Sequence, residues 1–97
     1  MHRVRAKLEW FKTVILPQEA ALRGRLRRIL PSTHELEDMV AEVLARAYAT
    51  ENWENVTTGR AYLFTIARNL VIDTARRNKV VSFETMADLE LLGGENT

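Results

Sequence analysis

The chain has 97 residues, so we expect one small domain with a modest hydrophobic core. Apolar residues make up 46% of it and charged residues 28%, a globular composition that excludes disorder over most of its length. The absence of cysteine excludes disulfides, thiolate zinc sites and cysteine nucleophiles. The longest apolar run, residues 61–64, is far shorter than a membrane span or the core of a signal peptide, which predicts a cytoplasmic protein that does not enter the membrane.

The net charge of +1 conceals four blocks of alternating sign. Residues 1–31 carry a net charge of +6 and residues 32–59 carry −5. Residues 60–80 carry +4 and residues 81–97 carry −4. Such blocks are typical of a protein with one acidic and two basic surfaces that bind different partners. They are equally typical of a protein in which charges of opposite sign pair with one another inside the fold.

Two apolar stripes at helical spacing begin the chain. The first repeats at i, i+4, i+7 and i+11 and consists of Val4, Leu8, Phe11 and Ile15. We expect it to end before Pro17, because proline lacks a backbone donor and clashes with the preceding turn. The second, ending at Pro31, consists of Leu22, Leu26, Ile29 and Leu30.

The helix of the second stripe turns outward a basic cluster of Arg23, Arg25, Arg27 and Arg28. This cluster suits phosphate or an acidic protein surface, but it is also typical of a solvated helix face.

The third helix has the clearest period. Ser32 and Glu35 have the spacing of a capping box, which satisfies free amides at a helix start. The apolar residues behind this cap are Leu36, Met39, Val40, Val43, Leu44 and Ala47.

The outward side of the same helix carries an acidic row beside small residues, which consists of Glu35, Asp38 and Glu42. This arrangement leaves room for a partner helix whose arginines would bond to the carboxylates. Acids in the first turn also stabilise the helix without any partner.

Residues 50–59 contain turn formers and are predicted to be a loop, followed by a helix from near Thr58 to about Asn78. The apolar side of that helix consists of Leu63, Ile66, Ala67, Leu70, Val71 and Ala75. Its polar side consists of Thr65, Arg68, Asn69, Arg76 and Lys79. Cations beside an amide that can read a base edge are typical of a nucleic-acid surface. Trp53 and Tyr62 could stack on unpaired bases, or they could simply close over the core.

Signatures of catalysis are missing. His2 and His34 have no second metal ligand at a fixed spacing, and Ser32 and Ser82 have no base at motif distance. No glycine-rich loop follows a strand to hold phosphate. The sequence therefore predicts a binding domain with no catalytic residue, metal or cofactor.

The order of segments resembles conserved region 2 of a bacterial sigma factor of the extracytoplasmic-function class, within the sigma-70 family. The matching segments are residues 26–32, 37–48, 60–73, 76–77 and 80–84. The resemblance covers roughly residues 10–84, and residues 61–73 are its most specific part. It implies an all-α fold, a compact bundle of three to four helices.

The resemblance also implies a role in transcription initiation. The residues expected to bind the coiled coil of the β′ subunit of core RNA polymerase are Asp38, Ala41, Glu42 and Ala45. Those expected to bind the unwound non-template strand of the promoter −10 element are Trp53, Asn55, Arg60, Tyr62, Thr65, Arg68, Asn69, Arg76 and Arg77. Among them, Trp53 would help to hold a flipped base, Asn69 would contribute to selecting it, and the arginines would grip the strand.

Two features depart from the pattern of the family. Ala41 occupies the position where most members carry glutamine, and the loop around Trp53 is rich in asparagine and glutamate, so relatives do not supply the −10 sequence. We expect residues 1–80 to form the region 2 domain, and residues 81–97 to begin an interdomain linker that is partly disordered. The resemblance also implies a second domain that reads the −35 element; we expect none within these 97 residues, either because the chain is an excised domain or because the natural protein is truncated.

The expected partners are core RNA polymerase, promoter DNA and an anti-sigma factor, with the chain acting as a monomer. The main alternative is a helical protein-interaction module that binds an anti-sigma-type partner and never contacts DNA. A duplex-binding helix-turn-helix regulator is a weaker alternative, because the loop of about ten residues before the last helix is longer than the turn of that motif.

Overall fold

The computed structural model describes residues 2–78 and folds them into helices, with no strand among them. The α-helices are α1 (His2–Trp10), α2 (Glu19–Arg27), α3 (Thr33–Ala49) and α4 (Gly59–Asn78). A π-helical turn, Phe11–Ile15, and a 3-10 turn, Leu16–Gln18, connect α1 to α2. A second 3-10 turn, Trp53–Asn55, lies in the loop between α3 and α4. The predicted all-α fold is confirmed, while the predicted linker lies outside the described residues.

One hydrophobic core joins the four helices. Its buried members are Trp10, Ile15, Leu22, Leu26, Leu36, Val40, Val43, Ala47, Leu63, Phe64, Ala67, Leu70 and Val71. The predicted period of α3 is confirmed, since its core side matches the apolar stripe and Met39 and Leu44 pack at the edge. Phe64 is fully buried although it lies outside the predicted stripe of α4. This helix contacts α3, α2 and the turns after α1, and it therefore buries a broader side than one stripe.

The stripe predicted for the first helix is wrong at its beginning. Val4 and Leu8 are 61% and 45% exposed, whereas Trp10 and Ile15 are buried. The cause is the π-helical turn, whose i to i+5 hydrogen bonds widen the helix between Trp10 and Ile15 and shift the register of the residues before it. The chain also stays helical through Pro17, which lies at the start of the 3-10 turn, where its missing amide removes no helical hydrogen bond.

The cap of α3 forms at Ser32, with one difference from the expected capping box. The Ser32 hydroxyl accepts a hydrogen bond from the Glu35 amide at 3.1 Å. The same hydroxyl lies 3.1 Å from the Glu35 carboxylate and donates to it, so the Glu35 side chain bonds to the Ser32 side chain. Helix α2 ends at Arg27, before the predicted end at Pro31, and half-buried Ile29 and Leu30 follow it.

Gly59 lets the start of α4 approach the π-helical turn. A Cβ at this position would overlap the Val14 carbonyl oxygen and would lie 2.9 Å from the Val14 carbonyl carbon. Only glycine fits this contact, because any side chain would collide with backbone that has nowhere to move. The N-terminal segment and α4 are therefore joined backbone to backbone at the beginning of the helix that carries most of the candidate nucleic-acid residues.

Candidate functional site

The four residues predicted to bind polymerase lie on one exposed strip of α3. We call Asp38, Ala41, Glu42 and Ala45 the acidic strip. Their spacing of i, i+3, i+4 and i+7 places them on a single side of the helix. The side chains of Asp38 and Glu42 are 72% and 53% exposed, so the carboxylates are accessible to a partner. The alanines between them let a partner backbone approach closely.

Each carboxylate of the acidic strip has a nitrogen-bearing neighbour on α3 itself. The Asp38 carboxylate lies 3.3 Å from His34 Nε2, an ion pair when this histidine is protonated. The Glu42 carboxylate accepts a hydrogen bond from Arg46 Nε at 2.9 Å. Exposed pairs at this spacing contribute only about 0.3–0.5 kcal/mol, so an arginine of a partner can replace them at little cost.

Tyr62 and Asn69, both predicted to contact DNA, line one groove. The groove has a volume of about 390 Å³ and is lined by Arg46, Ala49, Thr50, Tyr62, Ile66, Asn69, Leu70 and Asp73. Asn69 is exposed and Tyr62 is half-buried. Apolar side chains beside an aromatic ring and a side-chain amide suit the face and the edge of an unpaired base.

The two arginines at the end of α4 are exposed, as a role in gripping a strand requires. Arg76 and Arg77 lie in the last turn of the helix, where positive charge also compensates the helix dipole. Thr65 is exposed too, but its hydroxyl donates to the Ala61 carbonyl at 2.9 Å and is therefore occupied within the helix.

Arg60 and Arg68 lie away from the groove. Arg60 precedes Asn69 by about two and a half helical turns, which places it on the opposite side of α4. Its guanidinium lies 5.0 Å from the centre of the Phe64 ring, and that of Arg25 lies 6.0 Å from the same ring. Arg68 is half-buried, and its Nε is buried without a hydrogen-bond partner among the residues described. The structure therefore does not bring all the predicted DNA contacts onto one face.

Trp53 is tied to the core and is not freely exposed. Its ring centre lies 5.7 Å from that of Trp10, with the ring planes inclined at 45°. The ring is half-buried and borders a second, separate cleft of about 610 Å³, lined by Arg3, Val4, Lys7, Tyr48, Glu51 and Trp53. Asn55 is exposed, and its amide donates to the Asn52 side-chain oxygen. The interpretation of Trp53 as a core aromatic is thus correct for one side of its ring.

Within residues 2–78, ion pairs join the basic block 1–31 to the acidic block 32–59. Arg3 bonds to Glu54 at 3.0 Å, and Arg23 bonds to Glu37. Arg23 also donates to Glu19, and the hydrogen bonds to Glu19 and Glu37 raise the pKa of this guanidinium. The pairing of blocks within the fold is thus observed for Arg3 and Arg23, whereas the use of the exposed acidic strip as a partner surface stays a prediction.

Sequence patterns missed Arg46 and Trp10. Arg46 bonds to the acidic strip and lines the groove, a position that its i+4 spacing from Glu42 could have revealed. Trp10 lies outside the first apolar stripe, and only the π-helical turn places it in the core. Among residues 2–78, no group of acids and histidines could hold a metal ion, and no helix is long and apolar enough to cross a membrane.

The fold and these surfaces define a small helical binding domain. The sequence model of sigma-70 region 2 matches residues 18–80, about two thirds of the chain. The chain therefore belongs to the sigma-70 region 2 family, whose members bind RNA polymerase and recognise the promoter −10 element, and which is not an enzyme family. Searches of curated proteins and of solved structures gave no significant match.

Proposed function

We propose that the chain is the region 2 domain of an extracytoplasmic-function sigma factor. In this proposal the acidic strip binds the coiled coil of the polymerase β′ subunit, and α4 binds the unwound non-template strand of the −10 element. The main support is the arrangement around Arg46, which bonds to Glu42 of the acidic strip and also lines the Tyr62–Asn69 groove. Two surfaces of different chemistry thus meet along α3, so one domain can hold polymerase and strand side by side.

Docking on polymerase would use the carboxylates of the acidic strip. Arginines of a helical partner would bond to Asp38 and Glu42 and displace the local pairs with His34 and Arg46. Ala41, in place of the glutamine usual in the family, supplies no hydrogen bond, so we expect electrostatics to carry more of this contact. An anti-sigma factor with a basic helix would compete for the same strip.

Strand binding would begin at the groove between the end of α3 and α4. A base turned out of the duplex would stack on Tyr62 and present its edge to the Asn69 amide. Flipping costs a few kcal/mol, which the groove and the polymerase contact together must offset. Arg76 and Arg77 would bind phosphates further along α4, because they are exposed and carry no base-reading group.

The Trp53 loop would contribute a second base contact next to the aromatic cluster, which consists of Trp10, Phe11, Tyr48 and Trp53. Trp53 is half-buried, so one part of its ring stays accessible while Trp10 supports the rest. Arg60 and Arg68 lie off the groove, Arg60 beside the Phe64 ring that Arg25 of α2 also approaches, and we assign both arginines to the path of the strand backbone. As part of the transcription machinery, the protein would act in the cytoplasm.

The proposal is tested by binding to an excised β′ coiled-coil fragment. The wild type should bind it, and Asp38→Arg/Glu42→Arg should abolish binding while circular dichroism stays unchanged, because both side chains are exposed. Glu9→Arg/Glu51→Arg is the matched control, since it reverses two exposed carboxylates outside the strip. No binding by a folded wild type, or equal loss in both double variants, would contradict the proposal and favour a protein-interaction module with another partner.

A further inference from the structure

Helix α1 lies before the segment that matches the family, yet it contacts the candidate recognition loop directly. Trp10 Nε1 donates a hydrogen bond to the Val56 carbonyl at 3.0 Å, and the Trp10 ring packs on Trp53. Arg3 bonds to Glu54 at 3.0 Å. These contacts join residues 43 to 51 positions apart in sequence and all reach the same loop, so they are tertiary contacts that fix the position of the loop.

The loop has few internal contacts that could hold it in place. Its 3-10 turn is closed by a hydrogen bond from the Val56 amide to the Trp53 carbonyl at 3.0 Å. The other internal bonds join Asn52 and Asn55, and both residues are exposed. Trp10, by contrast, is only 7% exposed and belongs to the core. The orientation of Trp53 is therefore set by a residue of α1 more than by the loop itself.

We propose that Trp10 is a positioning residue that sets the base preference of the Trp53 loop without contacting DNA. This inference rests on the proposed function, in which that loop reads a base of the opened strand. Stacking on Trp53 tolerates every base, so discrimination must come from base-edge contacts such as the exposed Asn55 amide of the same loop, and a change in the tilt of Trp53 moves the stacked base relative to that amide. Helix α1 then supports the base preference of the loop, in addition to its contribution to the core.

Two substitutions separate the parts of this contact. Trp10→Phe keeps an aromatic ring against Trp53 but removes the hydrogen bond to the Val56 carbonyl. Trp10→Leu removes both. Because the chain has only two tryptophans, Trp53 is the single tryptophan of the free chain in either variant, and its fluorescence there reports on the loop.

The experiment uses the full chain assembled on core RNA polymerase and a pool of single-stranded oligonucleotides randomised over a central stretch. Sequencing of the bound fraction gives the base preference at each position. Because a displaced base edge loses its contact with the loop, we expect Trp10→Leu to lower discrimination at one position by about tenfold, Trp10→Phe to lower it less, and the preference at the position read by Asn69 to persist. Affinity for the β′ fragment should equal that of the wild type, and Trp53 emission should shift to longer wavelength in Trp10→Leu.

The exposed Arg3–Glu54 ion pair also joins α1 to the loop, and charge variants of this pair provide a test that does not disturb the core. Arg3→Glu should weaken discrimination at the same position, and Arg3→Glu/Glu54→Arg should restore it. Arg5→Glu makes the same charge change at an exposed position of α1 and should have no effect on discrimination. These variants carry the test if Trp10→Leu does not fold.

The outcomes separate the two proposals. A wild type that binds every oligonucleotide equally would overturn the proposed function and this inference with it. A wild-type preference that survives unchanged in Trp10→Leu would overturn only this inference. Equal loss of affinity for every sequence together with loss of β′ binding would mean that Trp10 is a stabilising core residue, which also overturns the inference.

Discussion

The acidic strip of α3 and the candidate nucleic-acid surface are built in different ways. The strip consists of four exposed side chains on one regular helix, with ion pairs inside the same helix. The nucleic-acid surface combines α4, the end of α3 and a loop held by α1. A surface on one helix depends on local spacing alone, whereas a composite surface depends on how elements pack. Disturbed packing should therefore impair strand binding more than polymerase binding.

Gly59→Ala should have the largest effect on stability. The added Cβ would overlap the Val14 carbonyl and force α4 away from the π-helical turn. We expect the free energy of unfolding to fall by about 3 kcal/mol, measured by denaturant titration. If the variant stays folded, its affinity for the strand should fall and its affinity for the β′ fragment should persist. A loss of β′ affinity with unchanged strand affinity would refute the comparison.

Gly24→Ala is the matched control for that substitution. No atom lies within 4 Å of a Cβ at Gly24, which is exposed within α2. Alanine is the better helix former, so we expect the free energy of unfolding to rise by about 0.5–1 kcal/mol. A loss of stability here would mean that the sensitivity of Gly59 does not come from its contact with Val14.

Asn69→Ala and Arg76→Ala should weaken strand binding in different ways. Loss of the Asn69 amide removes a base-edge contact and should reduce discrimination between bases by about 1–3 kcal/mol. Arg76→Ala should weaken all sequences alike and lower the slope of log affinity against log salt by about 0.7. Titrating labelled strands of different sequence at several salt concentrations separates these effects, and an equal loss for every sequence with Asn69→Ala would count against base reading.

Ser32→Ala should have a modest effect that is confined to stability. It removes the side-chain cap of α3, which contributes about 1 kcal/mol to the free energy of unfolding. Because the acidic strip begins more than one turn after the cap, β′ affinity should not change. Thr33→Ala, at the neighbouring exposed position, is the control for both thermal unfolding and β′ binding.

The sequence was sufficient for the parts of the fold that follow local rules. The apolar period of α3, its Ser32 cap and the exposure of Asp38 and Glu42 all depend on neighbours within about two helical turns. The positions of Arg60 and Asn69 on opposite sides of α4 also follow from helical spacing. Grouping the two residues on one surface neglected the angle between them around the helix axis.

The π-helical turn and the aromatic cluster could not be predicted in this way. The turn is stabilised where the chain packs against the start of α4 at Gly59, a contact far away in sequence. The same holds for Trp10 and Trp53, whose rings meet only after α1 folds back over the loop. No periodicity within either segment indicates the other, so the register of α1 and the orientation of Trp53 depend on tertiary packing.

The most direct test of the account measures both affinities for the same set of variants. Core polymerase and a single-stranded −10 oligonucleotide selected from the randomised pool would be titrated against the wild type, Asp38→Arg/Glu42→Arg and Tyr62→Ala/Asn69→Ala. We predict that the first double variant loses polymerase binding, whereas the second binds polymerase like the wild type and loses its preference for the selected strand. Loss of both activities in both folded variants, or strand binding that does not depend on Tyr62 and Asn69, would contradict the assignment of two separate surfaces.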